Sequence, residues 1–259
     1  DATNPRESNL YANDGTITAK VIDGTMSIAN EGAVGAYANN SGSITLEGPV
    51  VMEVGNGAVA TKDGAILFKG PLTLHGTATG LNADGGSVTL EGEAVMDTVD
   101  GAIAGNSGTI LFKGPLTLRS TSTGLTADGG NITLDGEAVM DTADGAVATN
   151  GGTILFNGPL TLYSSDTALR TADGGVIDAA AADTDKYIEG NVVSNGGIVS
   201  LDLNTVGSYL TGTTTVSDGT DSTGMLNMTL GNGTVWNVAG DSSLTNLTNN
   251  CLLYTSPSP

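Results

Sequence analysis

The chain is nearly free of cysteine: Cys251 is the only one in 259 residues. That excludes a disulfide framework and a cysteine-built metal site. Cations are scarce too, with 8 Lys and Arg against 28 Asp and Glu and a formal charge of −20. Phosphate recognition needs clustered positive charge, so nucleic acid is not an expected partner. An anionic membrane surface is disfavoured for the same reason. Aromatics make up 4 % of residues, too few for a deep, wide core. No apolar run is long enough to span a bilayer, which takes about 20 residues.

Glycine is plentiful, at 39 residues. This composition suits a narrow core of small and medium side chains closed by many tight turns. The dipeptide Gly-Pro recurs at Gly48-Pro49, Gly70-Pro71, Gly114-Pro115 and Gly158-Pro159, and Gly92-Glu93 and Gly136-Glu137 fall midway between the later ones. The unit is therefore about 22 residues, duplicated in pairs of about 44. Gly70 to Lys113 matches Gly114 to Asn157 at roughly three positions in four, a recent duplication.

Each unit carries three short alternations. In the unit at Gly114 they are Leu116-Thr117-Leu118, Leu125-Thr126-Ala127 and Ile132-Thr133-Leu134. Period-two alternation predicts strands with one buried face. Between them lie Gly114-Pro115, Ser120 to Gly124 and Asp128-Gly129-Gly130, all turn chemistry. The fold expected is all-β: a right-handed single-stranded parallel β-helix, a solenoid of ~22-residue coils. A leucine-rich repeat, a calcium-binding nonapeptide roll and a β-sandwich do not fit this pattern. A fixed spacing of 22 predicts three inward columns: Val59, Leu81, Ile103, Leu125, Val147, Leu169; then Ile66, Val88, Ile110, Ile132, Ile154; then Phe68, Leu90, Phe112, Leu134, Phe156. Asp84, Asn106, Asp128 and Asn150 are expected to stack at a turn, in the left-handed conformation that Asn and Asp tolerate.

The repetitive shaft is placed at residues 1–178 and is most regular from Gly48 to Gly175. Ala179 to Lys186 (AAAADTDK) reads as a lateral excursion, and residues 179–250 as further coils of different texture. The last nine residues, Cys251 to Pro259 (CLLYTSPSP), share no pattern with the rest. They resemble translated sequencing-adapter read-through, and residues 251–259 are set aside as an artefact. With Asp1 first and no signal peptide, the chain is expected to be a fragment.

Toward the C-terminus come Gly196-Gly197-Ile198-Val199-Ser200-Leu201-Asp202-Leu203, then Met225 to Leu230, then Asn232-Gly233-Thr234-Val235-Trp236-Asn237-Val238 and Asp241 to Leu247. This succession resembles the pertactin-like, AIDA-like region of autotransporter passengers, with Trp236 at the family's signature position. The resemblance is strong over about the last quarter of the chain and looser over the repeats. It implies a passenger displayed outside the cell or secreted, followed by its own C-terminal outer-membrane β-barrel, with this end of the β-helix nucleating folding during export.

Catalytic candidates are few. His75 is the sole histidine, and its position recurs as Arg119 and Tyr163, which predicts an outward, variable site. Glu91 with Glu93, or Asp97 with Asp100, could pose as paired carboxylates or a calcium site. Asp97 and Asp100 recur as Asp141 and Asp144, so a solvated acidic face is the expectation. The arginines are Arg6, Arg119 and Arg170. No Ser-His-Asp set can be assembled, and no residue is assigned a catalytic, cofactor-binding or metal-ligating role. The expected function is a non-enzymatic adhesin, aggregation or biofilm module that binds host or bacterial cell-surface molecules or extracellular matrix. The alternative is a β-helix carbohydrate-active enzyme.

Overall fold

The computed structural model describes residues 8–220, 222–231 and 233–250. The tail set aside as an artefact, and Arg6, lie outside them. Among the described residues there is no helix. Strands pair in parallel and form two sheets of 14 and 11 strands, the product of about 11 coils stacked one on the next. Each coil has three legs. In the coil opening at Leu116, the first two legs form one bent strand, Leu116–Asp128, and the third is Asn131–Leu134.

The third leg follows the expected columns. Ile66, Val88, Ile110, Ile132 and Ile154 stand in register and are buried, and Ile44 and Ile177 extend the column. Phe68, Leu90, Phe112, Leu134 and Phe156 form the neighbouring one.

The second leg departs from expectation. Its inward column is Ala58, Leu81, Ala102, Leu125, Ala146 and Leu169. Val59, Ile103 and Val147 register instead with Asn82, Thr126 and Arg170 on the outer face. The cause is a bulge. Ser120 pairs with Thr142, but Thr123 pairs with Asp144, so alternate coils carry one extra residue at the first corner and lose it at the second. A slip of one residue moves a side chain to the other face. Between Gly48 and Gly175, counting by 22 therefore fails on this leg alone.

The second corner shows the compensation. One coil type turns through a pair of left-handed residues, such as Asn106 (φ 48°) and Ser107 (φ 65°); the other turns through a single glycine, such as Gly85 (φ 65°). Asp84 and Asp128 are thus not left-handed, contrary to expectation, while Asn106 and Asn150 are. The aspartates instead accept hydrogen bonds from the Nδ2 groups of Asn106 and Asn150 one coil on. The amide–carboxylate stacking holds within these coil pairs.

Core composition alternates with the duplication. One coil offers Leu72, Leu74, Leu81 and Leu90; the next offers Ala94, Met96, Ala102 and Phe112 at the same columns. Phe112 is 1 % exposed. It is the largest core side chain of a coil whose other inward apolar residues are Met96, Ile110 and three alanines, Ala94, Ala102 and Ala104. Phe112→Ala is expected to cost about 3–5 kcal/mol, read as a loss of melting temperature. Phe112→Leu, the residue of adjacent coils, should cost less than half as much.

Glycine ladders bring the coils together at the corners. A Cβ on Gly101 would sit 2.2 Å from the Gly124 carbonyl oxygen, and one on Gly108 would sit 2.0 Å from that of Ala83. Proline is accepted at Pro71, Pro115 and Pro159 because this position supplies a carbonyl. Pro115 O accepts from Ala94 N at 2.8 Å, as Glu137 O accepts from Leu116 N at 2.8 Å. Either residue satisfies that bond, which explains the alternation of Gly-Pro with Gly-Glu.

The excursion expected near Ala179 lies between the strands Val176–Ala179 and Lys186–Asn195. It ends on a lysine in a leucine position: Lys186 pairs with Leu160 in the inward column and is 0 % exposed. Both sheets then continue through Tyr209–Gly212, Met225–Leu230 and Val235–Val238. Trp236 pairs with Leu210, packs on the core edge and donates Nε1–H to Gly212 O at 3.3 Å.

Candidate functional site

Because every coil repeats the same backbone, outward side chains form ladders spaced about 4.8 Å apart along the axis. Three ladders carry the chemistry.

The first runs down the first leg: Glu53, His75, Asp97, Arg119, Asp141, Tyr163, Glu189. The expected sequence His75, Arg119, Tyr163 is present, but with an acid on every intervening coil. Reading one duplication at a time conceals this interleaving, since residues two coils apart match best. Glu31, Glu53, His75, Asp97 and the Gly76-Thr77 corner enclose an open groove of about 340 Å³. Among the described residues, no group of three or more His, Cys, Asp or Glu is placed to hold a metal ion.

The proposed carboxylate pairs do not come together as pairs. Asp97 is exposed on the first leg, while Asp100 opens the second leg and pairs with Thr79. Thr98, between them, faces inward at 3 % exposure with its hydroxyl unpartnered. Thr142 repeats this at 5 %. Asp144, the counterpart of Asp100, has a buried Oδ1 without a partner. Glu91 and Glu93 also separate: Glu91 pairs with Lys113, and Glu93 occupies the Gly-Pro corner with its carbonyl bonded to Leu72 N.

The second ladder carries alternating charge at the end of the third leg. Lys20, Glu47, Lys69, Glu91 and Lys113 succeed one another coil by coil, with Lys69–Glu47 at 2.7 Å, Lys113–Glu91 at 3.1 Å and Lys20–Glu47 at 3.9 Å. It closes with Asn157 Nδ2 donating to Asp135 Oδ1 at 2.8 Å. Lys69 holds the Glu47 carboxyl below its ordinary value, and Glu47 holds the Lys69 ammonium above its own. The contribution is present between those two titrations. It is lost as acid protonates Glu47, and again as alkali passes the Lys69 value. Exposed pairs are screened by salt. Lys69→Ala is therefore expected to change the melting temperature little, and less still at high salt.

The third feature is aromatic. The column beside the first ladder reads Val95, Thr117, Val139, Thr161 and then Tyr187 and Tyr209. The Tyr187 and Tyr209 rings lie 5.6 Å apart, tilted by 49°. Tyr209 donates its hydroxyl to Glu189 Oε1 at 3.0 Å. Burial, then the bond to Glu189, pushes the Tyr209 phenol up from 10.0 to about 12, and Tyr163 beside it acts in the same direction. A spectroscopic alkaline titration is expected to show one phenol ionising near 12 that is absent in Tyr209→Phe. The composition-based reading passed over this cluster, because its tyrosines are spread over 47 residues of sequence and meet only through coil register.

No family model matches the chain, and no match was found among curated proteins or solved structures.

Proposed function

We propose that the chain is the projecting shaft of an autotransporter passenger, displayed at a bacterial cell surface or released from it, and that it acts by binding. The observation that carries this reading is the 11-stranded stack, which sets outward side chains in ladders along one axis, with an acid on alternate coils of the first leg. Such a surface suits multivalent attachment, where weak contacts add through repetition. The C-terminal succession from Gly196 to Leu247, with Trp236 within it, supports the passenger assignment, and the near absence of cysteine suits export through a narrow pore. Host or bacterial surface molecules and extracellular matrix are the partners, with an outer-membrane β-barrel of the same protein as anchor. In this reading the coils after Tyr187 nucleate folding during export.

The test is display of the chain on cells through an outer-membrane barrel. Gain of aggregation, biofilm or surface attachment over the barrel alone is expected; no gain overturns the binding role. Coding sequence downstream that translates into about ten-residue alternating strands would support the anchor.

The groove at His75 favours a second reading, a carbohydrate-active enzyme. Glu53 and Asp97 flank His75 from two coils apart, about 10 Å along the axis, near the carboxyl separation of inverting glycosidases. Release of product from polysaccharides by the chain, abolished in Glu53→Gln and Asp97→Asn, would establish it.

A further inference from the structure

We infer that Tyr163, Tyr187, Tyr209 and Glu189 form a binding platform for a neutral glycan. This rests on the reading of the chain as a binding shaft and names its ligand class and place. Aromatics are 4 % of the chain, and the three phenylalanines are sealed in the core. Three tyrosines nevertheless gather on the outer face of three successive coils, at positions that hold Thr, Val or a charged side chain along the shaft. Tyr163 is 42 % exposed, and Tyr187 and Tyr209 are half-buried against the sheet.

The chemistry fits a sugar. An aromatic face offers apolar area to the C–H face of a pyranose, and the phenol and carboxylate at its rim offer hydrogen-bonding groups to the hydroxyls. Tyrosine gives this at small conformational cost, having two side-chain torsions. Here the cost is lower again, because Tyr209 is tied to Glu189 and the strands beneath are fixed by the stack. The local charge selects against acidic glycans. Glu189 and Asp141 flank Tyr163 in the ladder, and the nearest cation of that ladder, Arg119, lies beyond Asp141. A sulfated, uronic or sialylated chain seated on the tyrosines would meet these carboxylates before any cation of the ladder.

The experiment probes the full chain against an array of neutral, sialylated, sulfated and amine-bearing oligosaccharides. Neutral glycans are expected to bind. Tyr163→Ala and Tyr187→Ala should each weaken that binding about tenfold, the loss of a stacking contact, with unchanged circular dichroism and melting. Val139→Ala, on the same face and outside the cluster, should leave it intact. If Tyr187→Ala melts early, the more exposed Tyr163→Ala decides. A blank array, binding confined to acidic or amine-bearing glycans, or binding that survives both tyrosine variants overturns the platform. Cells that aggregate while the array stays blank would sink the platform and leave the binding role standing; cells that do not aggregate while the array is positive would leave the platform standing and remove the role in cell attachment.

Discussion

Gly108→Val is expected to break the shaft in two. The new Cβ would lie 2.0 Å from the Ala83 carbonyl oxygen, 2.6 Å from its carbon and 2.8 Å from the Gly105 oxygen. All three are backbone atoms, so no side chain can swing away. Relief requires this coil to part from the preceding one, and that breaks the ladder bonds between them, Thr109 N to Gly86 O at 2.9 Å and Gly85 N to Gly105 O at 3.1 Å. A loss of about 4 kcal/mol or more is expected, within the class of effects that force the backbone itself to move. Solenoid stability is a sum of coil terms and interfaces between neighbours. Weakening one interface should therefore turn a single melt into two, with the flanking segments unfolding separately. Gly32→Ala is the control: nothing lies within 4 Å of its added Cβ, and its effect should stay within about 0.5 kcal/mol. A single unshifted transition for Gly108→Val would show that the coils can separate at no cost.

Lys186 gives the second large effect, and its size depends on the replacement. Its ammonium donates to Ala181 O at 2.9 Å, Thr184 O at 3.1 Å and Thr184 Oγ1 at 2.6 Å. Among the described residues no carboxylate lies within 4 Å of it. Burial lowers its pKa, partly opposed by the field of Asp202, then Asp185 and Asp178. Asp202 is itself pushed up by burial and has an unpartnered Oδ1. Lys186→Ala would leave a cavity in the column and strip the excursion of its anchor, at a cost of about 3–5 kcal/mol. Proteolysis should then cut within residues 180–185. Lys186→Met keeps the volume and removes the buried charge but also loses the three bonds to the excursion, so it is expected to be less destabilising than Lys186→Ala, by roughly the cavity contribution. The pH dependence follows from the lowered pKa. Between the folded value and the ordinary 10.5, the unfolded chain holds a proton that the folded chain has released, so stability rises with pH in that window. Lys186→Met should abolish the rise. A rise that persists in the methionine variant would place its origin elsewhere.

The third leg was legible in full because nothing interrupts its alternation. Ser87 to Leu90, Thr109 to Phe112 and Asn131 to Leu134 carry the same pattern at a constant 22-residue step. The second leg was misread because two compensating corner changes leave the step constant on either side of it. Sequence period reports the total length of a coil and is blind to how the corners divide it. Register showed that Ile103 and Val147 point outward and that Ala102 and Ala146 fill the core. The ladders have the same character. The pairing of Lys69 with Glu47, and of His75 with acids on both sides, joins residues separated by one coil. The eye compares residues two coils apart, where the duplication makes them alike.

The class of fold is written in local pattern: period-two alternation in threes, a repeat too short for one coil to bury its own apolar face, and glycine where coils must touch. These are local and periodic facts, and stacking is the one way to satisfy them. Which side chains share a face, and which stand next to each other along the axis, emerges only once the coils are stacked. The acid–base ladder, the caged Lys186 and the tyrosine platform all depend on that register. Register is set by corner geometry, where a single residue gained or lost moves every following side chain from one face to the other.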